Sequence, residues 1–579
     1  MQSLLSGNRL VLIVVLTLAA TPYFLRLGAS SLWDSNEAFY AETPREMIES
    51  GDYINPTFNY QPRFNKPPLS YWVVAGLYKL FGVSESVERL AIALAALVMI
   101  ATAYGLGRCA FSREAGLLAA IGLAASPRFL MFSRRIMIDV YLAMFMALAL
   151  LLFMLAERHP ERRRFYLAAM YASIGLGILT KGPVAALLPG LAVLIYLAVY
   201  RKLKEISRLM LPMGVAIVAL IVLPWYLAVY LQHGVGYIAS FILRDNLSRY
   251  AQQAWGPGRG PLFYVGVIAG DFFPWSLFLA PALWFEIRRR LGRRQGSKDE
   301  TAPAAQINSK APAQSATTEV AQDRHVALLI IWIAVIVVFF SFSRSKEDLY
   351  ILPIYPAAAA LAGILVARWF TPAPALNVPL QVTTAILAVV LLTAGAIVLY
   401  LFGGAQGYQL RGATAVGLIA VAGGLITIGS LCAMKRRLAV LASVTSVILF
   451  NWIFALWTLP DFERYKPVRA LCEIASAKPA DALVGYYRLA SPSMTFYLRR
   501  PIFEYYLPEE ISAAFSSGRD VYCVMTAAEY DSLDQELRAR THVLARRPMF
   551  QVKLKGIFDR AEPPQVLLVS NKDGVSSAQ

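Results

Sequence analysis

Apolar runs about as long as a bilayer is thick recur along the whole chain, and no other feature constrains its fold as strongly. They lie near 9–27, 86–108, 137–156, 183–200, 209–231, 262–285, 326–343, 350–368, 379–402, 412–432 and 438–459. A hydrocarbon core of about 30 Å takes about 20 residues per helical crossing. Two shorter runs, 114–127 and 165–180, read as further crossings and bring the expected total to about thirteen. With 57% hydrophobic and 16% charged residues in 579, the chain is too apolar for a soluble protein of its size. The first run follows Arg9 with no small-residue cleavage site before Trp33, so it reads as a first transmembrane helix and not as a removed signal peptide.

A formal net charge of +18 invites a nucleic-acid partner, but the basic residues sit in short clusters between apolar runs. That is the signature of cytoplasmic loops, so the charge reports topology and no nucleic-acid partner is expected. With the N-terminus inside, Arg108 to Arg113, Arg158 to Arg164, Arg201 to Arg208, Arg288 to Arg294 and Lys435 to Arg437 fall on the inner side, and all are basic. An odd number of crossings then leaves residues 461–579 outside.

Those C-terminal residues mix short apolar runs (ALVGYY, VYCVM, QVLLV) with charged helix-like segments, the pattern of a small α/β domain. The inner loop 286–325 contains a stretch, 295–324, rich in Ala, Ser, Gln and Thr and without apolar periodicity, and is expected to be partly disordered. Cys472 and Cys523 share the C-terminal region, either as a disulfide in an oxidising compartment or as two thiols. The four histidines, at 159, 233, 325 and 542, are scattered and make no zinc signature, so no metal is required, although a divalent metal is not excluded. ATP and dinucleotide motifs are absent.

The outer segment 28–85 is long for a membrane-protein loop and crowds acids, amides, cations and aromatics beside the bilayer. Glu37 and Glu42, with Glu46 four residues further on, have spacings that could share a helix face, and Arg45, Arg63 and Lys66 add positive charge. Carboxylates beside cations suit sugar-phosphate chemistry: the cations neutralise a departing phosphate, and a carboxylate activates an acceptor or stabilises positive charge at an anomeric carbon. The alternative is a solvated juxtamembrane helix. In the second outer loop Asp139 sits at the membrane boundary before an apolar run, a functional position unless it merely pairs with Arg134 or Arg135. Lys181, Arg244, Arg249, Arg259, Arg344 and Lys346 lie at other outer helix ends. Singly each is a snorkelling cation. Together they run against the positive-inside bias and point to an anionic ligand on that face, such as a polyprenyl phosphate.

The ordered motifs WDSNEAFYAETPREM, GDYINPTFNYQPRFNKPPLSYW, SRRIMID, LTKGP, FFPW and SRSKEDLYILP resemble the bacterial branch of the protein O-mannosyltransferase superfamily, which has the GT-C fold. Within it they are most similar to the 4-amino-4-deoxy-L-arabinose transferases that modify lipid A. The likeness runs through the membrane region and is weak after it. It implies a sugar donor linked to undecaprenyl phosphate, a periplasmic active site and inversion at the anomeric carbon. The family's Asp-Glu pair corresponds here to Asn36 and Glu37, its following Arg to Phe39, and its Glu-Lys pair to Asn65 and Lys66. Asp139 matches the second-loop aspartate, and Lys346 and Tyr350 match the lysine and tyrosine before the ILP turn. A carboxamide accepts no proton as a base, so a hydroxyl acceptor would need Glu37, Asp34 or Asp139.

The expectation is therefore a polytopic α-helical GT-C membrane glycosyltransferase (1–460, with 28–85 its first periplasmic catalytic loop) followed by a periplasmic α/β domain (461–579) and housed in a bacterial inner membrane. Glu37, Asp139, Asn36 and Asp34 are the catalytic candidates. Arg63, Asn65, Lys66, Tyr40, Arg134, Arg249, Lys346 and Tyr350 are the candidates for binding substrate. The expected partners are the polyprenyl phosphate-sugar donor, lipid A or another glycan or protein acceptor, and membrane lipids. A flippase or transporter of lipid-linked sugars would share the many spans and the outer cations, but such proteins commonly carry internal repeats and polar residues near the bilayer midplane. Neither feature is seen in this sequence.

Overall fold

The computed structural model describes residues 2–34, 36–236, 250, 259–299, 313–370, 374–403, 410–550 and 562–572. The chain opens with α1 (Gln2–Ala20) and α2 (Asn36–Ser50), then a hairpin of β1 (Thr57–Phe58) and β2 (Gln61–Pro62), then α3 (Leu69–Phe81). Next come α4 (Glu85–Ala110), α5 (Arg113–Ala125), α6 (Pro127–Phe132), α7 (Ile138–Arg158), α8 (Arg163–Lys181), α9 (Val184–Val199) and α10 (Leu211–His233). They are followed by α11 (Phe263–Asp271), α12 (Ser276–Asp299), α13 (Ala313–Phe342), α14 (Tyr355–Trp369), α15 (Pro374–Phe402), α16 (Ala413–Cys432) and α17 (Arg436–Ile453), which continues as helical turns to Tyr465. Every apolar run picked out in the sequence is helical. Among the described residues eight helices are long and apolar enough to cross a membrane, and α11 with the first part of α12, bent by 117°, makes a ninth. The chain is a polytopic helical membrane protein.

Local chemistry sets the helix ends. Ser84 caps α4 by accepting from the Val87 amide, with Glu85 in the first turn and Arg108 in the last, each at the end of the helix dipole that favours its charge. Small residues set the packing. A Cβ on Gly363 would stand 2.6 Å from the Ala115 carbonyl oxygen, and one on Gly116 2.5 Å from that of Tyr104. The backbones of α4, α5 and α14 can therefore touch, which matters because lipid supplies no hydrophobic drive between helices. Helix α10 is the opposite case: Val215, Leu220, Leu223 and Leu231 all face outward. The stretch 295–324 is helical at both ends, since α12 runs to Asp299 and α13 starts at Ala313. Its Ala- and Gln-rich composition carries helix propensity that apolar periodicity does not register. Residues 300–312 lie outside the described residues.

After Tyr465 the chain forms α18 (Pro467–Ser476), β3 (Leu483–Tyr487), α19 (Met494–Leu498), β4 (Phe503–Tyr505), α20 (Pro508–Phe515) and β5 (Val521–Thr526). It ends with α21 (Ala527–Asp531), α22 (Gln535–Ala539), β6 (His542–Pro548) and β7 (Gln565–Ser570). The strands make one mixed sheet in the order β4-β3-β5-β7-β6, with β3 parallel to β4 and β5, and β7 antiparallel to its neighbours. Alternation along β5 sends Tyr522 and Val524 to a core with Leu471 and Cys472 of α18, and Cys523 and Met525 to a second core with Ile511 and Phe515 of α20. The two cysteines thus lie on opposite faces of the sheet and are free thiols, which settles against a disulfide.

One buried ion pair fixes the start of segment 28–85. Arg89, one turn into α4, donates from Nε to Glu37 Oε1 at 2.8 Å and from Nη2 to Glu37 Oε2 at 3.0 Å. Its remaining donors reach the carbonyls of Leu27, Ser30 and Ser31. Burial alone would raise the Glu37 carboxyl, but Arg89 more than reverses that and holds it below its ordinary value. The C-terminal residues grip the same turn: Glu463 accepts from the Ser31 amide at 2.7 Å, Asp34 accepts from the Ser493 amide at 2.9 Å, and Lys466 donates to Ser31 O.

Replacing Arg89 with Met should leave the Glu37 carboxylate buried and unpaired, at a cost of about 3–5 kcal/mol. The double variant Arg89→Met with Glu37→Leu should recover most of that in detergent melting curves. Burial lowers the Lys466 ammonium from 10.5 to about 7, even with Glu37 nearby. Between those values the unfolded chain binds a proton that the folded chain has released, so stability should rise with pH across that window and fall on acidification through it. Lys466→Met should flatten this slope; an unchanged slope would show that Lys466 is not its source.

Candidate functional site

Antiparallel packing of α7 and α8 brings together residues 42 apart in sequence. Asp139 stands in the first turn of α7, and Lys181 is the last residue of α8, which stops at Gly182 with φ of 100°. The Lys181 ammonium donates to Asp139 Oδ1, with side chains 16% and 13% exposed. Asp139 is thus paired with Lys181, not with the neighbouring arginines that the sequence offered. Lys181 Nζ also lies 5.0 Å from the centre of the Tyr350 ring, close enough for a cation–π contact.

Tyr350 belongs to the turn Asp348–Ile354, which packs against α7. Two residues earlier Asp348 accepts from Arg128 at 2.7 Å, and Arg128 also approaches Asp271 at 3.3 Å. On the other side of the turn Arg259 donates to the Lys346 carbonyl and lies 3.5 Å from Glu347. Lys346 itself is buried and directs its ammonium to the Ser343 carbonyl. The turn that carries Tyr350 thus gathers Lys181, Arg128, Arg259 and Lys346 along its length, each balanced by a carboxylate or a carbonyl. Such cations can exchange those partners for a phosphate with little change in position. Among the described residues no three metal-binding side chains come together.

Segment 28–85 holds an aromatic and acidic cluster of its own. The Arg63 guanidinium sits 3.6 Å from the centre of the Phe39 ring and contacts the Tyr71 hydroxyl, and Tyr40 stacks on Tyr71 at 5.6 Å. Asn59 and Tyr60 take φ of 54° and 59° to turn the hairpin. Glu46 holds that turn by accepting from the Thr57 hydroxyl at 2.5 Å and the Tyr60 amide at 3.2 Å. Burial pushes the Glu46 carboxyl up to about 7. Asn36 is exposed at the start of α2, Asn65 is exposed in the next turn, and Lys66 is half-buried and partnered.

Other expected residues serve the scaffold. Both Glu37 oxygens are taken by Arg89 and the Trp33 amide, and the side chain is 1% exposed. That geometry anchors the carboxylate to α4 and to the turn before α2. Asp34 faces Ser493, and burial raises its carboxyl against that hydrogen bond. Arg134 is buried and donates to the carbonyls of Pro22 and Arg26, tying down the end of α1. Arg249 and Arg244 lie outside the described residues. Sequence reasoning passed over Arg89 and Arg128 and treated Lys181 as one boundary cation among many. A charge entering an apolar run, as Arg89 does, was the available signal.

Comparison with known proteins supports the same fold. A family profile described as dolichyl-phosphate-mannose-protein mannosyltransferase matches residues 65–227. An uncharacterised protein of Aquifex aeolicus is 30% identical over 355 residues, 61% of this chain and 62% of that one. The undecaprenyl phosphate-alpha-4-amino-4-deoxy-L-arabinose arabinosyl transferase 1 of Pseudomonas fluorescens is 27% identical over 362 residues, 60% of this chain and 56% of that one. The chain thus spans less than two thirds of the length of these curated relatives. Among solved structures, ArnT from Cupriavidus metallidurans bound to undecaprenyl phosphate superposes with a TM-score of 0.73 at 23% identity, covering 99% of this chain and 100% of that one. The archaeal oligosaccharyltransferase AglB from Archaeoglobus fulgidus gives 0.53 at 14% identity, covering 90% and 71%. The chain is a polytopic membrane protein with the GT-C glycosyltransferase fold and resembles the bacterial 4-amino-4-deoxy-L-arabinose transferases.

Proposed function

We propose that this protein is a glycosyltransferase that moves a sugar from undecaprenyl phosphate to lipid A or another envelope acceptor at the periplasmic face of the inner membrane. The observation that carries this reading is the Lys181–Asp139 pair in contact with Tyr350, on a turn that Arg128, Arg259 and Lys346 also engage. Further support comes from the fold shared with a protein whose structure holds undecaprenyl phosphate. The thirteen crossings, the outward C-terminal domain and the role of each site residue belong to the same proposal.

In this reading Lys181 and Arg259, with Lys346 once turned from Ser343, bind the donor phosphate. An acceptor oxygen attacks the anomeric carbon while the bond from that carbon to the phosphate oxygen breaks, and undecaprenyl phosphate leaves with the bonding pair. The cations stabilise the charge growing on it. A phosphate acceptor is already anionic and needs no base. A hydroxyl acceptor gives its proton to Asp139, freed from Lys181 as the donor phosphate takes up that ammonium. Asn36 orients the acceptor, and Tyr350 and Arg63 border the sugar. The family's acids at positions 36 and 65 are carboxamides here, which removes charge suited to an amino sugar and favours a neutral one.

Asp139→Asn and Lys181→Met should each lower transfer by about 10²–10⁴ while the protein stays folded. The readout is mass spectrometry of lipid A and other envelope glycolipids from cells carrying each variant. A lost aminopentose increment would name the relatives' sugar, and a lost hexose increment a neutral one. Full activity in both folded variants would sink the proposed site.

A further inference from the structure

A pair of cavities lies toward the end of the helices remote from Asp139. Helix α7 carries Asp139 in its first turn and Arg158 as its last residue, about 28 Å apart at about 1.5 Å per residue. Around Arg158 opens a polar cavity of about 390 Å³, lined also by Glu157, Tyr196, Lys202, Arg324 and His325. Beside it is an apolar cavity of about 570 Å³ between α7, α8, α9 and α10. Neighbouring residues of shared helices line them: Phe153 and Leu197 the apolar one, Glu157 and Tyr196 the polar one, with the Phe153 and Tyr196 ring centres 5.9 Å apart.

The charges in the polar cavity are not balanced from within. Its carboxylate, Glu157, is occupied by the Tyr196 hydroxyl at 2.8 Å and by His325 at 3.5 Å. Lys202 pairs with Glu205 at 2.9 Å. Arg158 reaches the Arg108 and Cys109 carbonyls, both at 3.3 Å, and the Cys109 thiol, and Arg324 lies 5.8 Å from the centre of the Tyr200 ring. Among the described residues neither guanidinium has a carboxylate partner. The apolar cavity is bordered by Val215 and Leu223 of α10, which are 70% and 59% exposed on the lipid side, so its wall is itself membrane-facing.

We infer that the two cavities form one site for an anionic glycerophospholipid of the leaflet remote from Asp139. Its phosphate lies between Arg158, Arg324 and Lys202, and an acyl chain fills the apolar cavity. Basic pockets between membrane helices bind anionic headgroups in this way, and an apolar cavity joined to them selects a ligand that carries a tail. The site is separate from the proposed catalytic one, so the two readings stand or fall independently.

The test is native mass spectrometry of the full-length protein, stripped of lipid in detergent and then offered phosphatidylglycerol, phosphatidylethanolamine, undecaprenyl phosphate or inorganic phosphate. One phosphatidylglycerol should be retained in preference to phosphatidylethanolamine. Joint replacement Arg158→Gln and Arg324→Gln should lower its retention about tenfold or more. Ala219→Phe, which narrows the apolar cavity and keeps every cation, should lower it as well, and guards against misfolding of the charge variant. Equal retention of both phospholipids, retention unchanged in both variants, preference for undecaprenyl phosphate, or displacement by inorganic phosphate alone would each overturn the inference.

Discussion

The pairing of Arg89 with Glu37 is the interaction on which the start of segment 28–85 and its junction with the C-terminal residues depend. An arginine inside an apolar helix is costly unless its donors are satisfied. Here one guanidinium engages a carboxylate through two nitrogens and three backbone carbonyls besides. That single group therefore fixes the path of residues 27–31 and the start of α2 together. Because Glu463, Lys466 and Ser493 hold the same stretch, polar contacts tie the C-terminal residues to the membrane helices beside the apolar ones made by Phe496 and by Trp33 on Phe462. The wall of Tyr40, Phe39 and Arg63 is built on helix α2 and the hairpin that follows this anchor.

The site around Asp139 shows the opposite economy. Its ion pairs are partly exposed, and exposed pairs contribute little to stability. Lys181, Arg128 and Arg259 each hold a partner that can be given up without leaving a deeply buried charge. The described residues thus hold two kinds of ion pair: sealed ones such as Arg89–Glu37 and Arg45–Glu42, and more open ones such as Lys181–Asp139 and Arg128–Asp348.

Much of the membrane architecture was legible because the signal is long and local. Each apolar run is helical, and the crowding of α2 with acids is present in the structure, where Glu37, Glu42 and Glu46 are all buried. The site was less legible, because its key pairings join distant residues. Lys181 meets Asp139 across 42 positions, and Arg128 meets Asp348 across 220. Residue type alone ranked Glu37 as a base, while its partner Arg89 was hidden among the residues of an apolar run. Arg134 looked like a ligand for an anion, yet the end of α1 needs its donors.

The two thiols of the C-terminal sheet lie in separate cores, so no covalent link bridges its faces. The cohesion of that unit comes from the apolar layers on either side of five strands. Its maturation accordingly needs no oxidant or thiol isomerase, and mild reductants should leave it intact, so the protein can be handled under reducing conditions without losing the surface that docks onto the outer loop.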